Sequence, residues 1–577
     1  MLNLAQAKNY GSIDRFALLV VWLFSIVIVL FPIFDYDLYW HLANGREMVN
    51  SGRIIGEDVF SYTHSGEKFD NHEWLGQIIW YLIWLNFGPY GLLGFKLLVT
   101  SLVVLLLYRT IRFVGAHPVL AAVLSGFAVF AGLSRYVERP ELFSLLNTAL
   151  ISFILYGFRT NQLPRRLLWL IPLILVVWDW LHGSVYGLVL FTLFMAGENA
   201  KYFLPSLRHG QSLSQDNLSY VTRCFAAAII AMLINPFGLR SYGIIINLVM
   251  GQGAGDAAAS ITEMRPVTWW EYKLYILLLS WAALLSLRHI RKLDITQFLW
   301  LLVFGSAALR YSRVTGAAAI VLAPIIASLI MTSVQNGKDR LETKLQTAVV
   351  ILAAAFIAGY GYFVKFLEGS YQAFGYHVDE NDLPAGSVRF IKAMGLTGNL
   401  YNTGHLGGYL SYYLTPERKI FQLNQHQVFG DTYRFAGHPE ELDKWNINYA
   451  IVANADELTG LFPANNWARV YREAGIVLVV RRTPQNQALI SQYETHYFAS
   501  MMTDDQLHAM ARNPDVLSRL AEEMGVYLAY RNDERIAGLW AEILTTSPTL
   551  RNNQRIQQLL QQALKYNNTD KLTQLAS

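Results

Sequence analysis

Cysteine is almost absent: Cys224 is the single one in 577 residues, which excludes an intrachain disulfide framework. Charge is scarce as well. Only 15% of residues are Asp, Glu, Lys or Arg against 53% hydrophobic, and the mean hydropathy is positive, so a single soluble core describes the chain poorly. The net charge of +4 is small and spread over short loops, which argues against a nucleic-acid partner. No low-complexity tract stands out. The first apolar stretch lacks a small-residue cleavage site and runs into "FPIFDYD", so it is expected to be a retained anchor, not a signal peptide.

What the chain has in quantity is apolar runs near the length that crosses a hydrocarbon core of about 30 Å. They fall at 17–34, 92–108, 119–133, 141–158, 167–181, 184–200, 223–235, 272–287, 294–309, 314–333 and 345–365. If these alternate, Lys8 and Arg15, Arg109 and Arg112, Arg159, Arg165 and Arg166, Lys201, Arg208 and Arg223 share one side. Arg288, Arg291 and Lys292, then Lys338, Arg340 and Lys344, join them. By the positive-inside rule that side is the cytoplasm. The segment 73–87, "EWLGQIIWYLIWLNF", is refused as a span because counting it would invert every later loop. Its Trp and Tyr suit a helix lying in the outer interface. The expectation is an α-helical polytopic membrane protein of about eleven spans, N-terminus inside and C-terminus outside.

Three regions follow: a membrane domain over 1–365 with its first outer loop at 35–91, an extracytoplasmic α/β domain over 366–483, and a helical tail over 484–577. In the first loop, "DLYWHLANGREMVNSG" has helical spacing with Asp37 where an N-cap would stand. "VFSYTHSGEKF" alternates around Ser-Gly as a short hairpin would, and Asn71 is placed to cap the helix opened by "NHEW". Beyond 366, "SVRFIKAMG", "GNLYNT", "GHLGGYLSYYL", "KIFQL", "HPEELDKWN", "YAIVAN" and "WARVYREAGIVLVVRR" alternate between helix-like and strand-like runs. The tail reads as helix pairs resembling tetratricopeptide units, without a clear 34-residue period.

Ionisable residues at membrane depth are costly and are candidates for function. Here they gather in outer turns: Asp35, Asp37, His41, His72 and Glu73; Arg135, Glu138, Arg139 and Glu141; Asp179 and His182; Glu263 and Arg265; Arg310 and Arg313. A carboxylate in reach can take the proton of an acceptor hydroxyl. Arginines, with Arg135, Arg139 and Arg313 the candidates, can hold the phosphate of a lipid-linked leaving group and stabilise its charge. Trp40 offers a flat face to a sugar or prenyl tail, and His41, His72, His182 and Glu138 stand as substrate contacts. Each has a plainer reading: Asp37 as a helix cap, Glu73 as a favourable charge at a helix start, the arginines as snorkelling anchors, His182 as a packed side chain. No cofactor is firmly implied. His72 and His41 with nearby acids could ligate a divalent metal, though their spacing matches no metal motif.

The stretch "DYDLYWHLANGREMVNSGRIIGEDVFSYTHSGEKFDNHEWLGQIIWY", with "RPELFS" at 139–144, "WDWLHGSVYGL" at 178–188, "NPFGLRSYG" at 235–243 and "YNTGHLGGYLSYYL" at 401–414, resembles a family of bacterial multispan envelope proteins related to the GT-C glycosyltransferases. That resemblance implies a polyprenyl-phosphate-sugar donor, as in dolichyl-phosphate-mannose mannosyltransferases, and Asp37 or Asp35 as base. It also implies Glu73 as a supporting carboxylate and Arg139 as a phosphate partner. Asp179 departs from the pattern, since similar chains often carry Asn before L-H-G. The expected function is an inner-membrane, inverting glycosyltransferase moving a sugar from a polyprenyl-phosphate carrier to an extracytoplasmic glycan, lipid or protein. The alternatives are a polysaccharide polymerase or ligase on lipid-linked oligosaccharides, a transporter, and a non-catalytic assembly protein. Transporters tend to show paired halves with charges near the midplane, and neither is visible here.

Overall fold

The computed structural model describes residues 11–207, 212–238, 262–336, 355, 358–360, 375–423, 425–429, 440–567 and 569–576. The chain forms two compact units: Met1–Asp35, Asn44–Ile54 and Asp70–Val378 make the first, and Tyr36–Ala43, Ile55–Phe69 and Asp379–Ser577 the second.

The first unit is helical. Its elements are α1 (Ser12–Val29), α2 (Asp37–Ser51, shared with the second unit), α3 (Trp74–Phe113), α4 (Pro118–Ala131), α5 (Glu141–Arg159), α6 (Leu170–His182), α7 (Val185–Phe203), α8 (Gln215–Ala231), α9 (Trp269–Arg288), α10 (Ile295–Arg310) and α11 (Thr315–Asn336). Four described segments are long and apolar enough to cross a membrane: Ser12–Val29, Trp74–Phe113, Glu141–Arg159 and Ser312–Ser333. Pro118–Ala131 and Ile295–Arg310 are shorter apolar helices. The expected span at 345–365 lies almost wholly outside the described residues.

Local chemistry sets the ends. Ser214, Thr268 and Asp294 cap α8, α9 and α10 by accepting backbone N–H groups of the first turn. The first helix stops at Val29, short of the expected 34, because Pro32 cannot continue it and biases the residue before it away from helix. Asn71 does not cap α3: Glu73 holds that position, while the Asn71 amide donates to Gln77 Oε1 at 3.0 Å. The expected interfacial segment 73–87 and span 92–108 are the two arms of α3, a 40-residue helix broken at Gly88. There φ is 60° and ψ −155°, a conformation that a side chain strongly disfavours, and Pro89 follows. The first arm is fastened by Trp80, whose ring meets Phe95 at 5.1 Å and Phe143 at 5.3 Å and whose indole N–H donates to the Glu138 carbonyl.

The second unit centres on a four-stranded sheet of β1 (Asn399–Asn402), β2 (Ile447–Val452), β3 (Trp467–Glu473) and β4 (Ile476–Arg481), in the order β1-β2-β4-β3. The β1–β2 pair is parallel and the others antiparallel. "WARVYREAGIVLVVRR" forms a tight hairpin about Ala474–Gly475. "KIFQL" forms no strand; Ile420 makes a single parallel bridge to Ser61. "VFSYTHSGEKF" contributes one antiparallel bridge, Glu57 to Lys68. Tyr401, Phe421, Ile447, Val452, Phe462, Trp467 and Val479 form a core over the sheet.

Helix α12 (Ala385–Met394) and the tail helices Pro514–Leu528 and Glu534–Thr546 join this unit through one buried carboxylate. Glu473 accepts the backbone N–H of Gly386 at 2.8 Å and of Ser387 at 2.6 Å, and it pairs with Arg531. The negative charge thus sits at the N-terminus of α12, where free amides and the helix dipole favour it. Glu523 fastens a loop in a similar way, accepting the backbone N–H groups of His496, Tyr497 and Phe498 at 2.7–2.9 Å.

Candidate functional site

In the first unit, several turns converge at the ends of α1, α3, α4, α6 and α10. Asp35 lies just beyond α1; Arg135, Glu138 and Arg139 lie between α4 and α5, and Glu141 opens α5; Glu263 lies in the short turn Thr262–Met264 and Arg313 in Ser312–Val314. The last two turns are tied together, because the Ser312 hydroxyl donates to the Glu263 carbonyl at 3.1 Å and the Ser312 N–H to the Arg265 carbonyl at 3.0 Å.

The side chains then meet in a chain of alternating charge. Arg139 grips Asp35 with both Nε and an Nη, the Nη bond being 2.6 Å. Its other Nη lies 3.4 Å from Glu263. Arg135 grips Glu141 bidentately and reaches Glu263 at 2.8 Å, and Arg313 approaches the same carboxylate at 3.9 Å. Burial alone would raise the Glu263 carboxyl, but Arg135, Arg313 and Arg139 together hold it well below the ordinary carboxylate range. The cluster is not sealed: the side chains of Arg139, Arg313 and Glu263 keep 24, 28 and 21% of their exposure. Guanidinium groups that an anion can reach, held in fixed forks by carboxylates, are suited to binding phosphate.

The remaining predicted residues sort themselves. Glu73 lies 3.3 Å from His182 Nε2 and 3.9 Å from His72 Nε2. The first turn of α3 reaches α6 because Gly76 lacks a side chain; a Cβ there would stand 2.5 Å from the Leu181 carbonyl oxygen and 3.0 Å from Pro140 Cβ. His182 is largely enclosed and bonds Ser144 Oγ at 2.8 Å through Nδ1, and burial pushes its imidazole down to about 3 against the opposing pull of Glu73. Glu138 is fully buried and pairs with Lys96 at 2.5 Å; its burial raises the carboxyl and Lys96 opposes the rise. Asp179, the residue that departs from the family pattern, accepts from the Ser184 hydroxyl at 3.2 Å and from the Asn235 amide of "NPFG".

Asp37, Trp40 and His41 belong to the second unit. Asp37 is the first residue of α2, one place beyond the expected cap, and its charge opposes the downward shift that burial imposes on His405. Trp40 packs on Phe60 at 6.1 Å and Phe69 at 5.9 Å, and His41 is buried. Among the described residues no group of three His, Cys, Asp or Glu is arranged to hold a metal ion.

Sequence reasoning missed Lys96, Ser144 and Trp178. A lone Lys in "GFKLLVTS" is a signal by the cost of burying it, but a run treated only as a span hides it.

Neither a family model nor a curated protein sequence matches the chain. Solved structures do. The oligosaccharyltransferase AglB of Archaeoglobus fulgidus, in complex with an inhibitory peptide and a dolichol-phosphate, aligns with 92% of this chain and 86% of its own at TM-score 0.52 and 12% identity. The A. fulgidus oligosaccharyltransferase tethered to an acceptor peptide with the NVT sequon aligns over 81% of this chain and 73% of its own, at TM-score 0.51 and 11% identity. The chain has the fold of these GT-C glycosyltransferases. ArnT from Cupriavidus metallidurans, bound to undecaprenyl phosphate, gives a weaker likeness: TM-score 0.45 and 14% identity over 82% of this chain and 98% of that one.

Proposed function

We propose that the protein is an inverting glycosyltransferase that moves one sugar from a polyprenyl-phosphate carrier to a glycan, lipid or protein acceptor outside the cytoplasm. The observation that carries this reading is the convergence of Arg135, Arg139 and Arg313 on carboxylates in a cluster that stays open to an anion. The neighbours' lipid phosphates and acceptor peptide are consistent with it.

In this reading Asp37 or Asp35 takes the proton of the acceptor hydroxyl. The oxygen attacks the anomeric carbon, the bond from that carbon to the phosphate oxygen breaks, and the lipid phosphate leaves with the electron pair. Arg139, Arg135 and Arg313 stabilise the phosphate as its charge grows, while Glu73 is the supporting carboxylate. His72, His182 and Glu138 are the proposed substrate contacts of the first unit, and Trp40 and His41 those of the second. About eleven spans with the N-terminus inside belong to the same proposal, as does an outer α/β domain at 366–483 with its tail at 484–577 selecting the acceptor.

The test is mass spectrometry of lipid-linked sugars and envelope glycans from bacterial cells with the wild type, Asp35→Asn, Asp37→Asn or Arg139→Ala at matched protein levels. Accumulated polyprenyl-phosphate sugar and a product one sugar short support the reading. Profiles unchanged in all three variants and in a deletion strain sink it.

A further inference from the structure

Beneath the charged cluster, in the first unit, four side chains form a line. The buried Trp178 indole N–H donates to Ser144 Oγ at 2.8 Å, and Ser144 Oγ stands 2.8 Å from His182 Nδ1. On the other side of the ring, His182 Nε2 lies 3.3 Å from Glu73 Oε1. Ser144 and Trp178 are fully buried, and the His182 side chain keeps 9% exposure.

The direction of this line follows from what each group can do. An indole N–H only donates, so Ser144 Oγ accepts from Trp178. The Ser144 hydroxyl proton, buried, must then find an acceptor, and the acceptor in contact with it among the described residues is His182 Nδ1. If Nδ1 carried its own proton, Ser144 would accept twice and its own proton would be stranded, a costly state inside a protein. The ring is therefore neutral, with its proton on Nε2, facing Glu73. Burial favours that neutral form as well.

We infer that Trp178, Ser144 and His182 form a one-way hydrogen-bond relay that fixes the His182 tautomer and turns its Nε2–H onto Glu73, making His182 the positioning residue of that carboxylate. The inference rests on the transferase reading only for what Glu73 is positioned to do. The relay itself is a property of the resting protein. The 3.3 Å separation is long for a hydrogen bond, as such contacts often are before substrate binds and tightens them. The relay would hold Glu73 in one orientation without neutralising it, which an Arg or Lys partner would do.

Two measurements on the full chain in nanodiscs test this. With histidine labelled in 13C and 15N, and the His182→Gln spectrum used to assign the signal, the wild type is expected to show a neutral Nε2–H ring near pH 7. Ser144→Ala is expected to release the bias toward that tautomer, with Trp178→Phe as a second variant should Ser144→Ala not fold. An Nδ1–H ring or an imidazolium in the wild type overturns the relay, and so does a tautomer unmoved by both variants. The second measurement is turnover of a polyprenyl-phosphate sugar pool extracted from the deletion strain. His182→Ala is expected to lower turnover roughly ten- to hundredfold, as loss of a supporting hydrogen bond does elsewhere, at little changed half-saturation. His182→Gln, which restores a donor at the Nε2 position, is expected to recover part of it. Turnover of His182→Ala equal to the wild type overturns the positioning role. The expected tautomer together with no turnover by any protein, wild type included, sinks the transferase reading and leaves the relay standing.

Discussion

The first unit contains two charged networks that look alike in composition and differ in access. In one, Arg135, Arg139 and Arg313 meet Asp35, Glu141 and Glu263, and several of these side chains remain partly exposed. In the other, Arg159 and Lys201 meet Glu198 and Asp294, and no side chain keeps more than 8%. The second also has internal partners beyond its cations: Thr296 donates to Glu198 and the Gln297 backbone to Asp294. Equal numbers of opposite charges therefore say little. What separates a fastening from a candidate site is whether a charged group can be reached by something outside the protein.

The largest expected effect falls on the sealed network. Asp294→Ala removes the partner of two buried cations and the cap of α10, so thermal unfolding in detergent is expected to show a loss of about 3–5 kcal/mol. A shift no larger than that of a surface substitution would dissolve the contrast. In the open cluster the effect should move to chemistry: Arg139→Ala is expected to cut turnover by about a hundred- to thousandfold while the melting temperature moves much less. The Lys96–Glu138 pair sits between these poles, sealed like the one and adjoining the other. Lys96→Met is expected to destabilise by several kcal/mol, on the order of a broken buried pair, and adding Glu138→Gln to recover most of that loss. A double variant as unstable as the single one would show that the charges matter less than the shape.

How much of this was legible follows the same division. The charged turns were readable because Arg139 and Arg313 stand at the ends of apolar runs, where an ionisable residue is conspicuous, and Glu263 lies in the loop between two of them. Their pairing was not readable, since Arg139 and Glu263 are 124 residues apart and no local pattern links them. Glu198 and Lys201 were hidden for the opposite reason: basic residues at span ends are absorbed by the charge rule before their partners are sought. In the second unit the mix of helices and strands was plain from the succession of helix-like and strand-like runs, whereas Ile420 in "KIFQL" pairs through one bridge to Ser61, a contact too brief to leave a period in the sequence.

The smallest effect is a pH dependence. The folded Glu263 carboxyl titrates below its ordinary 4.5, so its contribution to stability is present above that value and is lost as the pH falls from it toward the folded one. Wild type is therefore expected to lose melting temperature more steeply than Glu263→Gln as the pH falls below 4.5, with the two running parallel above it. Equal slopes would mean that the arginines leave that carboxyl untouched.

The buried carboxylate of Glu473 also orders events in time. It leaves the ribosome 58 residues ahead of Arg531, the cation that balances it. Until Arg531 has been synthesised, the edge strand β3 ends on a carboxylate balanced only by the Gly386 and Ser387 amides, and the unit has reason to leave that end open. The tail then acts as the latch of the domain's assembly, and a ribosome stalled before residue 531 would hold a nascent sheet still waiting to close.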